Sequence, residues 1–384
     1  MKRFQRIAPA LLPLLLATCT TAPYTGRSQL MLVSEAEELK LGAEAYNEEI
    51  RESVLSDSPE AYRIVRKVGE RIARAADKPD YKWDFRVFDD PEQVNAFCLP
   101  GGKVGVYTGI FPVARDEAGL AVIIGHEVAH ALLRHAGERL SRAQLVGTGV
   151  GLVGAVGGST VGSLFGLGAN MGLILPFSRS QESEADKVGL ILMAKAGYDP
   201  RVAVPLWERM EQKGKEQKDK EKKPPPEFLS THPSSATRVQ ELRDDMPQAL
   251  AYYQPANYAI EPLPTLEALD TPRGKSEREL LKYMQAVNKL AGKQERAVAE
   301  AIGSRLRMDL YDVARERKAL KIGYGEYAAL RAVSVLGKSS IKGVVADYQN
   351  GKRWSDLAAD HGARLGEVVA WMGEVGRAAG GKSS

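Results

Sequence analysis

The sequence predicts an α+β fold that is mainly helical with a small sheet, plus a C-terminal all-helical domain over residues 265–384. Apolar residues recur at helical spacing in several segments, for example at Ile64, Val68 and Ile72. Two short strand-like segments, KWDFRVFDD and GKVGVYTG, are bounded by proline and glycine. The C-terminal part contains long helical stretches such as SERELLKYMQAVNKLAGKQERAVAEAIGSRL, without Gly-Pro punctuation. This change of character indicates a domain boundary.

The N-terminal segment predicts export. A basic start, MKRFQR, is followed by the short apolar run IAPALLPLLLA, which is typical of a signal peptide over residues 1–18. The stretch LATC resembles a bacterial lipobox, so we expect Cys19 to be lipidated and to anchor the protein to a membrane. Thr18 departs from that pattern, and ordinary signal cleavage is the alternative. The predicted location is the periplasm, at the outer membrane, with residues 19–33 as a tether. If Cys19 carries lipid, Cys98 has no intrachain disulfide partner; a Cys19–Cys98 bridge is the alternative.

The length and net charge of the chain limit the number of domains and the class of partner. At 384 residues the chain is long enough for two domains, and its net charge of +4 is too small to indicate a nucleic-acid partner. The stretch RWSDLAADHGARLGEVVAWMGEV resembles a helix-turn-helix superficially. An exported protein meets no DNA, so we interpret it as a packed pair of helices. The Lys/Glu-rich residues 211–226 are expected to form a solvated loop.

The stretch AVIIGHEVAHALLRH carries three of the five histidines in the chain. On a helix, His126 and His130 lie about 40° apart on one face, so two imidazoles can reach one cation. Glu127 beside them is placed to hold a water molecule, as in the H-E-x-x-H arrangement of metallohydrolases. The alternative is a buried helix whose histidines merely pack. His135 lies about 140° from His130 around a continuous helix, so we do not expect it to bind the same metal.

A third metal ligand is available in the stretch SRSQESEAD. Glu182 and Asp186 are four residues apart, and therefore lie on one face of a helix. Glu182 suits a catalytic zinc site, and Asp186 is placed to accept a hydrogen bond from the far ring nitrogen of a ligand histidine. Glu184 points away from that face. Taken alone, this segment would be an acidic solvent-facing helix, but paired with the histidine helix it predicts a metal site.

Together these motifs resemble the zinc metallopeptidase family of the CAAX prenyl protease and the HtpX heat-shock protease. The resemblance is stronger to the branch of bacterial periplasmic lipoproteins and the mitochondrial inner-membrane quality-control protease. It rests on TGRSQLMLVS, NAFCLPGGKVGVYTGI, HEVAHALLRH, LPFSRSQESEAD and STHPSSATRVQEL, across about residues 25–245. The resemblance implies one zinc ion per chain, held by His126, His130 and Glu182, with Glu127 as general base.

The resemblance also implies roles for residues that the sequence alone leaves unassigned. His232, otherwise a lone histidine before proline in a loop, would stabilise the oxyanion or occupy the open coordination position in a resting state. Arg238 would assist it. Asn95 would lie close to the substrate. An extended peptide would pair with the edge strand near GKVGVYTG, whose Gly105 would also contact the substrate.

The resulting hypothesis is a zincin-like metallopeptidase domain over residues 34–255 that cleaves misfolded or unassembled cell-envelope proteins. Its partners would be unfolded protein substrates, a membrane through the lipid anchor, and a further protein at the helical domain. A periplasmic chaperone or assembly factor with a latent or structural zinc site is the alternative. The glycine-rich residues 143–178 are expected to be a buried helical hairpin, although a membrane-integral protease that uses them as a span is a third possibility.

Overall fold

The computed structural model describes residues 19–149, 177–219, 226–233, 237–255 and 259–380. The predicted signal peptide and most of the glycine-rich segment lie outside these residues. Within the described part, no helix is both long and apolar enough to cross a membrane. The described residues are mainly helical with small sheets, which confirms the predicted fold class.

The chain divides into two compact units. The first contains the residues up to Glu49 together with Ser58–Leu269, and the second contains Ile50–Asp57 together with the residues from Asp270 onward. The prediction had included residues 50–57 in the metallopeptidase domain and had started the helical domain at residue 265.

The first unit contains two small sheets and most of the helices. Its strands are β1 (Cys19–Thr21), β2 (Ser28–Leu30), β3 (Asp84–Phe88), β4 (Ala96–Leu99) and β5 (Lys103–Tyr107). Its helices are α1 (Glu35–Glu52, which continues into the second unit), α2 (Pro59–Ala76), α3 (Phe111–Ala114), α4 (Glu117–Leu132), α5 (His135–Gly149), α6 (Arg179–Lys195), α7 (Ala203–Asp219), α8 (Glu227–Thr231), α9 (Arg238–Leu250) and α10 (Leu266–Leu269). Helix α7 therefore extends into the Lys/Glu-rich stretch that was predicted to be a loop.

The three-stranded sheet has the order β3-β5-β4, with β5 parallel to β3 and antiparallel to β4. GKVGVYTG itself forms the central strand β5, so the edge strand expected near it corresponds to the neighbouring β4. Gly105 on β5 lies under aromatic rings: a Cβ there would approach Phe97 to 2.3 Å and Phe88 to 2.7 Å. Its lack of a side chain serves packing within the sheet, and β3 and β4 form the two edges.

Helix α4 lies at the centre of the first unit. Every one of its residues is buried, as expected for a helix that is apolar nearly all round. Asp116 caps its N-terminus by accepting a hydrogen bond from the backbone of Gly119. The helix ends before Arg134, which has a left-handed backbone (φ 56°), and α5 begins at the next residue.

Residues 19–33 fold against the first unit, which differs from the predicted tether. Strands β1 and β2 pair as an antiparallel hairpin. The Gln29 side chain is only 2% exposed, and its Nε2 donates a hydrogen bond to the carbonyl of Leu133, 2.7 Å away. Ala22 belongs to the main apolar core. The hairpin is therefore attached at the junction between α4 and α5.

The second unit is all helical in its described part. Its helices are α11 (Pro272–Leu306), α12 (Leu310–Leu320), α13 (Tyr324–Leu336), α14 (Ile341–Gln349), α15 (Trp354–Asp360) and α16 (Leu365–Gly380). Helix α11 is interrupted at Gln294, whose backbone is non-helical. The stretch that resembled a helix-turn-helix forms α15 and α16, whose Leu357, Val368 and Met372 are buried in this unit's core.

Candidate metal centre

Helix α4 presents two histidines toward one point. The Nε2 atoms of His126 and His130 are 3.0 Å apart, and both side chains are buried. The two rings meet edge to face, with centroids 4.6 Å apart. One turn of helix thus aims two ring nitrogens at the same small volume, as the spacing predicted.

Helix α6 brings Glu182 to the same point. One carboxylate oxygen, Oε1, lies 3.4 Å from Nε2 of His130, and Oε2 lies 3.5 Å from Nε2 of His126. Ser178 and Gln181 start α6 with a reciprocal capping box. The helices can approach closely because Gly125 on α4 faces Gly189 on α6; a Cβ on Gly189 would lie 3.0 Å from the backbone nitrogen of His126.

His232, which follows α8, supplies a fourth donor. Its Nδ1 lies 3.2 Å from Nε2 of His126 and 3.1 Å from Oε1 of Glu182. One ligand atom from each of the four side chains lies within 4.8 Å of the others. Its ring stacks on Phe228, with centroids 4.5 Å apart. His232 was predicted to act at the metal, and the structure places its ring nitrogen among the donors.

These distances suit a tetrahedral zinc ion. Zinc binds nitrogen and oxygen ligands at about 2.0–2.1 Å, which gives donor–donor separations of roughly 3.3 Å in a tetrahedron. The measured pairs of donor atoms among the four side chains are separated by 3.0 to 3.5 Å. Three imidazoles and one carboxylate are also ligand types that zinc prefers. The donor set therefore fits zinc in both chemistry and spacing.

Glu127 lies next to this donor set and is 3% exposed. Its Oε1 is 3.4 Å from Nε2 of His232 and has no hydrogen-bond partner among the described residues. Burial raises the pKa of Glu127, while the charges of His232 and His126 oppose that rise. A buried carboxylate with a free oxygen and a raised pKa suits a general base.

Asp186 and Arg238 contact the side chains that are placed to bind the metal. Asp186 Oδ1 is 2.9 Å from Nδ1 of His126, as predicted. Arg238 donates two hydrogen bonds to Asp186, at 2.7 and 2.8 Å, and its Nη1 lies 2.8 Å from Oε2 of Glu182. Its guanidinium also lies over the Trp207 ring, 3.3 Å from the centroid. The structure therefore differs from the predicted role in oxyanion stabilisation, because Arg238 is already occupied in orienting two carboxylates.

In the absence of metal, the carboxylates and imidazoles of the site shift one another's pKa values. Burial acts to lower the pKa of His126, but hydrogen bonds to Asp186 and Glu182 raise it to about 9. Burial acts to raise the pKa of Glu182, but the surrounding histidines, led by His232, hold it well below its usual range. Burial lowers the pKa of His130. Metal binding at neutral pH must therefore displace a proton from His126.

His135 and Glu184 contact the site, although the sequence predicted a role there for neither. The Nδ1 atoms of His130 and His135 are 2.8 Å apart, and His135 Nε2 lies 3.2 Å from Oε2 of Glu184. The angular argument assumed one continuous helix, whereas the left-handed residue Arg134 separates α4 from α5 and redirects His135. The only sequence signal was a third histidine close behind the motif.

Asn95 immediately precedes the edge strand β4 and is fully buried. Its Oδ1 accepts a hydrogen bond from the backbone of Ala96, and its Nδ2 has no hydrogen-bond partner among the described residues. Gly105, the other residue predicted to contact substrate, lies on the central strand beneath two aromatic rings. In the described sheet β3 and β4 are the edge strands, so an added peptide can pair with β4 but not with the central strand β5.

The fold and the site define a zinc metallopeptidase: two histidines one helical turn apart, an intervening glutamate, and a carboxylate ligand from a second helix. The sequence matches peptidase family M48 over residues 59–246. It is 36% identical over 253 residues to the mitochondrial metalloendopeptidase OMA1 of Schizosaccharomyces pombe, covering 64% of this chain and 72% of the relative. The chain belongs to peptidase family M48 and is a zinc metalloendopeptidase.

Two further relatives extend the comparison. The mitochondrial metalloendopeptidase OMA1 of Saccharomyces cerevisiae is 33% identical over 247 residues, covering 61% of this chain and 70% of the relative. The beta-barrel assembly-enhancing protease of Escherichia coli is 25% identical over 234 residues, covering 58% of this chain and 47% of the relative. The similarity to the fungal enzymes contradicts the predicted periplasmic, outer-membrane location, because those relatives are mitochondrial proteins. Lipidation of Cys19 stays a prediction.

Proposed function

We propose that this metalloendopeptidase cleaves misfolded or unassembled proteins, with His126, His130 and Glu182 as zinc ligands and Glu127 as general base. The observation that carries the assignment of roles is the buried cluster of donors with a free carboxylate oxygen of Glu127 next to it. The substrate class is supported by the position of β4, which pairs with only one neighbouring strand in the described sheet.

The mechanism follows from where the side chains lie. Zinc, when bound, makes water a strong nucleophile at neutral pH and polarises the scissile carbonyl. Glu127 takes the proton from the attacking water and passes it to the leaving amine. Asp186 holds His126 through its Nδ1, and Arg238 fixes the carboxylates of both Asp186 and Glu182. The chain thus keeps its donors in place before substrate arrives.

An extended substrate can add to the sheet at β4. In the described sheet β4 pairs with β5 on one side only, and it packs against the metal-bearing helix α4. Backbone pairing of this kind needs an extended peptide and gives little side-chain selectivity, which suits unfolded segments. The Nδ2 of Asn95, just before β4, is buried without a hydrogen-bond partner among the described residues, and a substrate carbonyl that reached it would satisfy this donor.

His232 supports a second candidate, a chaperone or assembly factor with a closed zinc site. With His232 Nδ1 as fourth donor, the coordination shell has no position left for water, as in structural zinc sites. Its Nε2 also faces Oε1 of Glu127. In the peptidase interpretation this arrangement is a latent state, from which His232 must withdraw before hydrolysis.

A comparison of two buried substitutions on α4 tests the proposal. Glu127→Gln removes the base, and Glu117→Gln is the matched control because Glu117 is buried on the same helix but pairs with Lys67, away from the metal. Bound zinc and cleavage of casein are measured for both variants and for wild type. We expect one zinc in all three proteins and cleavage that is lost only in Glu127→Gln.

Other outcomes would contradict this proposal. If Glu127→Gln cleaves casein at the wild-type rate, Glu127 is not the general base. Zinc without cleavage in every variant, together with prevention of casein aggregation that survives Glu127→Gln, would favour the chaperone function.

A further inference from the structure

A line of hydrogen-bonding groups runs from the N-terminal hairpin to a metal ligand. Arg27, in the hairpin, donates from Nε to Oε2 of Glu184 at 2.7 Å, and Thr25 donates to the other oxygen. The same Oε2 lies 3.2 Å from Nε2 of His135, whose Nδ1 lies 2.8 Å from Nδ1 of His130. Each of these groups contacts the next directly.

The protons in this line can be assigned from the metal outward. Once Nε2 of His130 binds zinc, its Nδ1 carries the ring proton and must donate it. The facing Nδ1 of His135 then accepts, which leaves the His135 proton on Nε2, directed at the Glu184 carboxylate. His135 is fully buried, so water has no access to replace it.

We propose that His135 is a positioning residue for the zinc ligand His130, and that Glu184 and Arg27 fix the orientation of His135. The N-terminal hairpin thereby contributes to zinc affinity. His126 is held by one carboxylate, that of Asp186, whereas His130 is held through an imidazole and then a carboxylate. The inference rests on the proposed metal site and adds the means by which its second histidine is oriented.

A purely structural role for the hairpin is the competing explanation, and the chain contains a control for it. Arg27 also donates two hydrogen bonds to Glu138, at 3.0 and 2.7 Å. Glu138 helps to attach the hairpin and forms no hydrogen bond with His135, on which only its charge acts. Glu184→Gln and Glu138→Gln therefore both weaken the attachment, whereas only Glu184→Gln alters the line that leads to His130.

The test measures the zinc dissociation constant by chelator competition, and the Tm of the zinc-free protein, in the full chain. Loss of a hydrogen bond to a ligand histidine typically weakens metal binding about 10- to 100-fold, and we expect this for His135→Leu. His135→Asn should lose less, because its Oδ1 can accept the His130 proton. Glu184→Gln should weaken zinc binding, and Glu138→Gln should lower the Tm while leaving zinc affinity within about twofold.

A double variant of His135 and Glu184 tests whether the two residues act through each other. If the groups act in series, Glu184→Gln adds nothing once His135→Leu is present. The proposal is overturned if His135→Leu binds zinc as tightly as wild type, or if Glu138→Gln weakens binding as much as Glu184→Gln. Should His135→Leu fail to fold, the contrast between the two glutamate variants decides the question. Wild type that binds no zinc would instead refute the metal site itself.

Discussion

The approach of α4 to α6 gives a sharp prediction, because Gly189→Ala places a methyl group between the two helices that carry the ligands. The added Cβ would lie 3.0 Å from the backbone nitrogen of His126 and 3.1 Å from its Cα. Favourable contacts between such atoms lie at about 3.5–4.0 Å. Backbone atoms cannot rotate away, so the helices must separate by about 0.5–1 Å.

We expect Gly189→Ala to reduce activity more than it reduces stability. Overpacking costs about 1–3 kcal/mol, and replacing glycine by alanine inside a helix returns about 1 kcal/mol, so the net loss of stability is about 0–2 kcal/mol. Glu182 lies seven residues before Gly189, on the same face of α6, and moves with it. Zinc ligands tolerate about 0.2 Å, and a displacement of 1 Å can cost about 100-fold in rate.

The assay compares casein cleavage, zinc affinity and Tm in Gly189→Ala, wild type and a control, Gly376→Ala. Gly376 lies inside α16 with no atom within 4 Å of an added Cβ. The control should gain up to about 1 kcal/mol and keep full activity. Gly189→Ala should lose about 10- to 100-fold in kcat/KM with only a modest fall in Tm. Activity within twofold of wild type would refute the claim that close helix approach sets the ligand geometry.

Three further predictions concern single side chains. Burial raises the pKa of Glu38 to about 7, against the lowering effect of Arg134. The folded state then binds more protons than the unfolded state between pH 4.5 and 7. The free energy of unfolding therefore falls as pH rises through this window, by at most about 3 kcal/mol. Chemical denaturation of Glu38→Gln at several pH values should not show this fall. Arg238→Lys keeps the positive charge but loses the bidentate hydrogen bond to Asp186. Zinc titration should therefore show about 10-fold weaker zinc binding. His232→Ala should keep zinc and cleave casein faster, because water replaces the fourth donor; slower cleavage would assign His232 to the oxyanion instead.

The helical part of the site could be predicted from the sequence because it depends on local periodicity. The spacing of His126 and His130, and that of Glu182 and Asp186, fixes a shared helix face whatever the rest of the fold does. The order of the strands could not be predicted in this way. Segments β3 and β5 both have strand-like patterns, but nothing local in either shows that β5 lies between β3 and β4.

The remaining differences come from tertiary contacts. Arg238 has a charge that suits an oxyanion equally well, and only the fold shows Asp186 and Glu182 already bound to it. The polar sequence of residues 19–33 resembled a tether, but Gln29 finds a buried carbonyl at the end of α4. The contact of His135 with His130 could not be predicted, because the helix break at Arg134 has no glycine or proline to mark it.

X-ray absorption at the zinc edge tests the central claim most directly, because it counts and identifies the atoms around the metal. For wild type we expect one zinc with four nitrogen or oxygen neighbours at about 2.0–2.1 Å and the multiple scattering of three imidazoles. In His232→Ala the four neighbours should remain, with two imidazoles. A sulfur neighbour at about 2.3 Å, or fewer than three imidazoles in wild type, would contradict the assignment of His126, His130, Glu182 and His232 as the donor set.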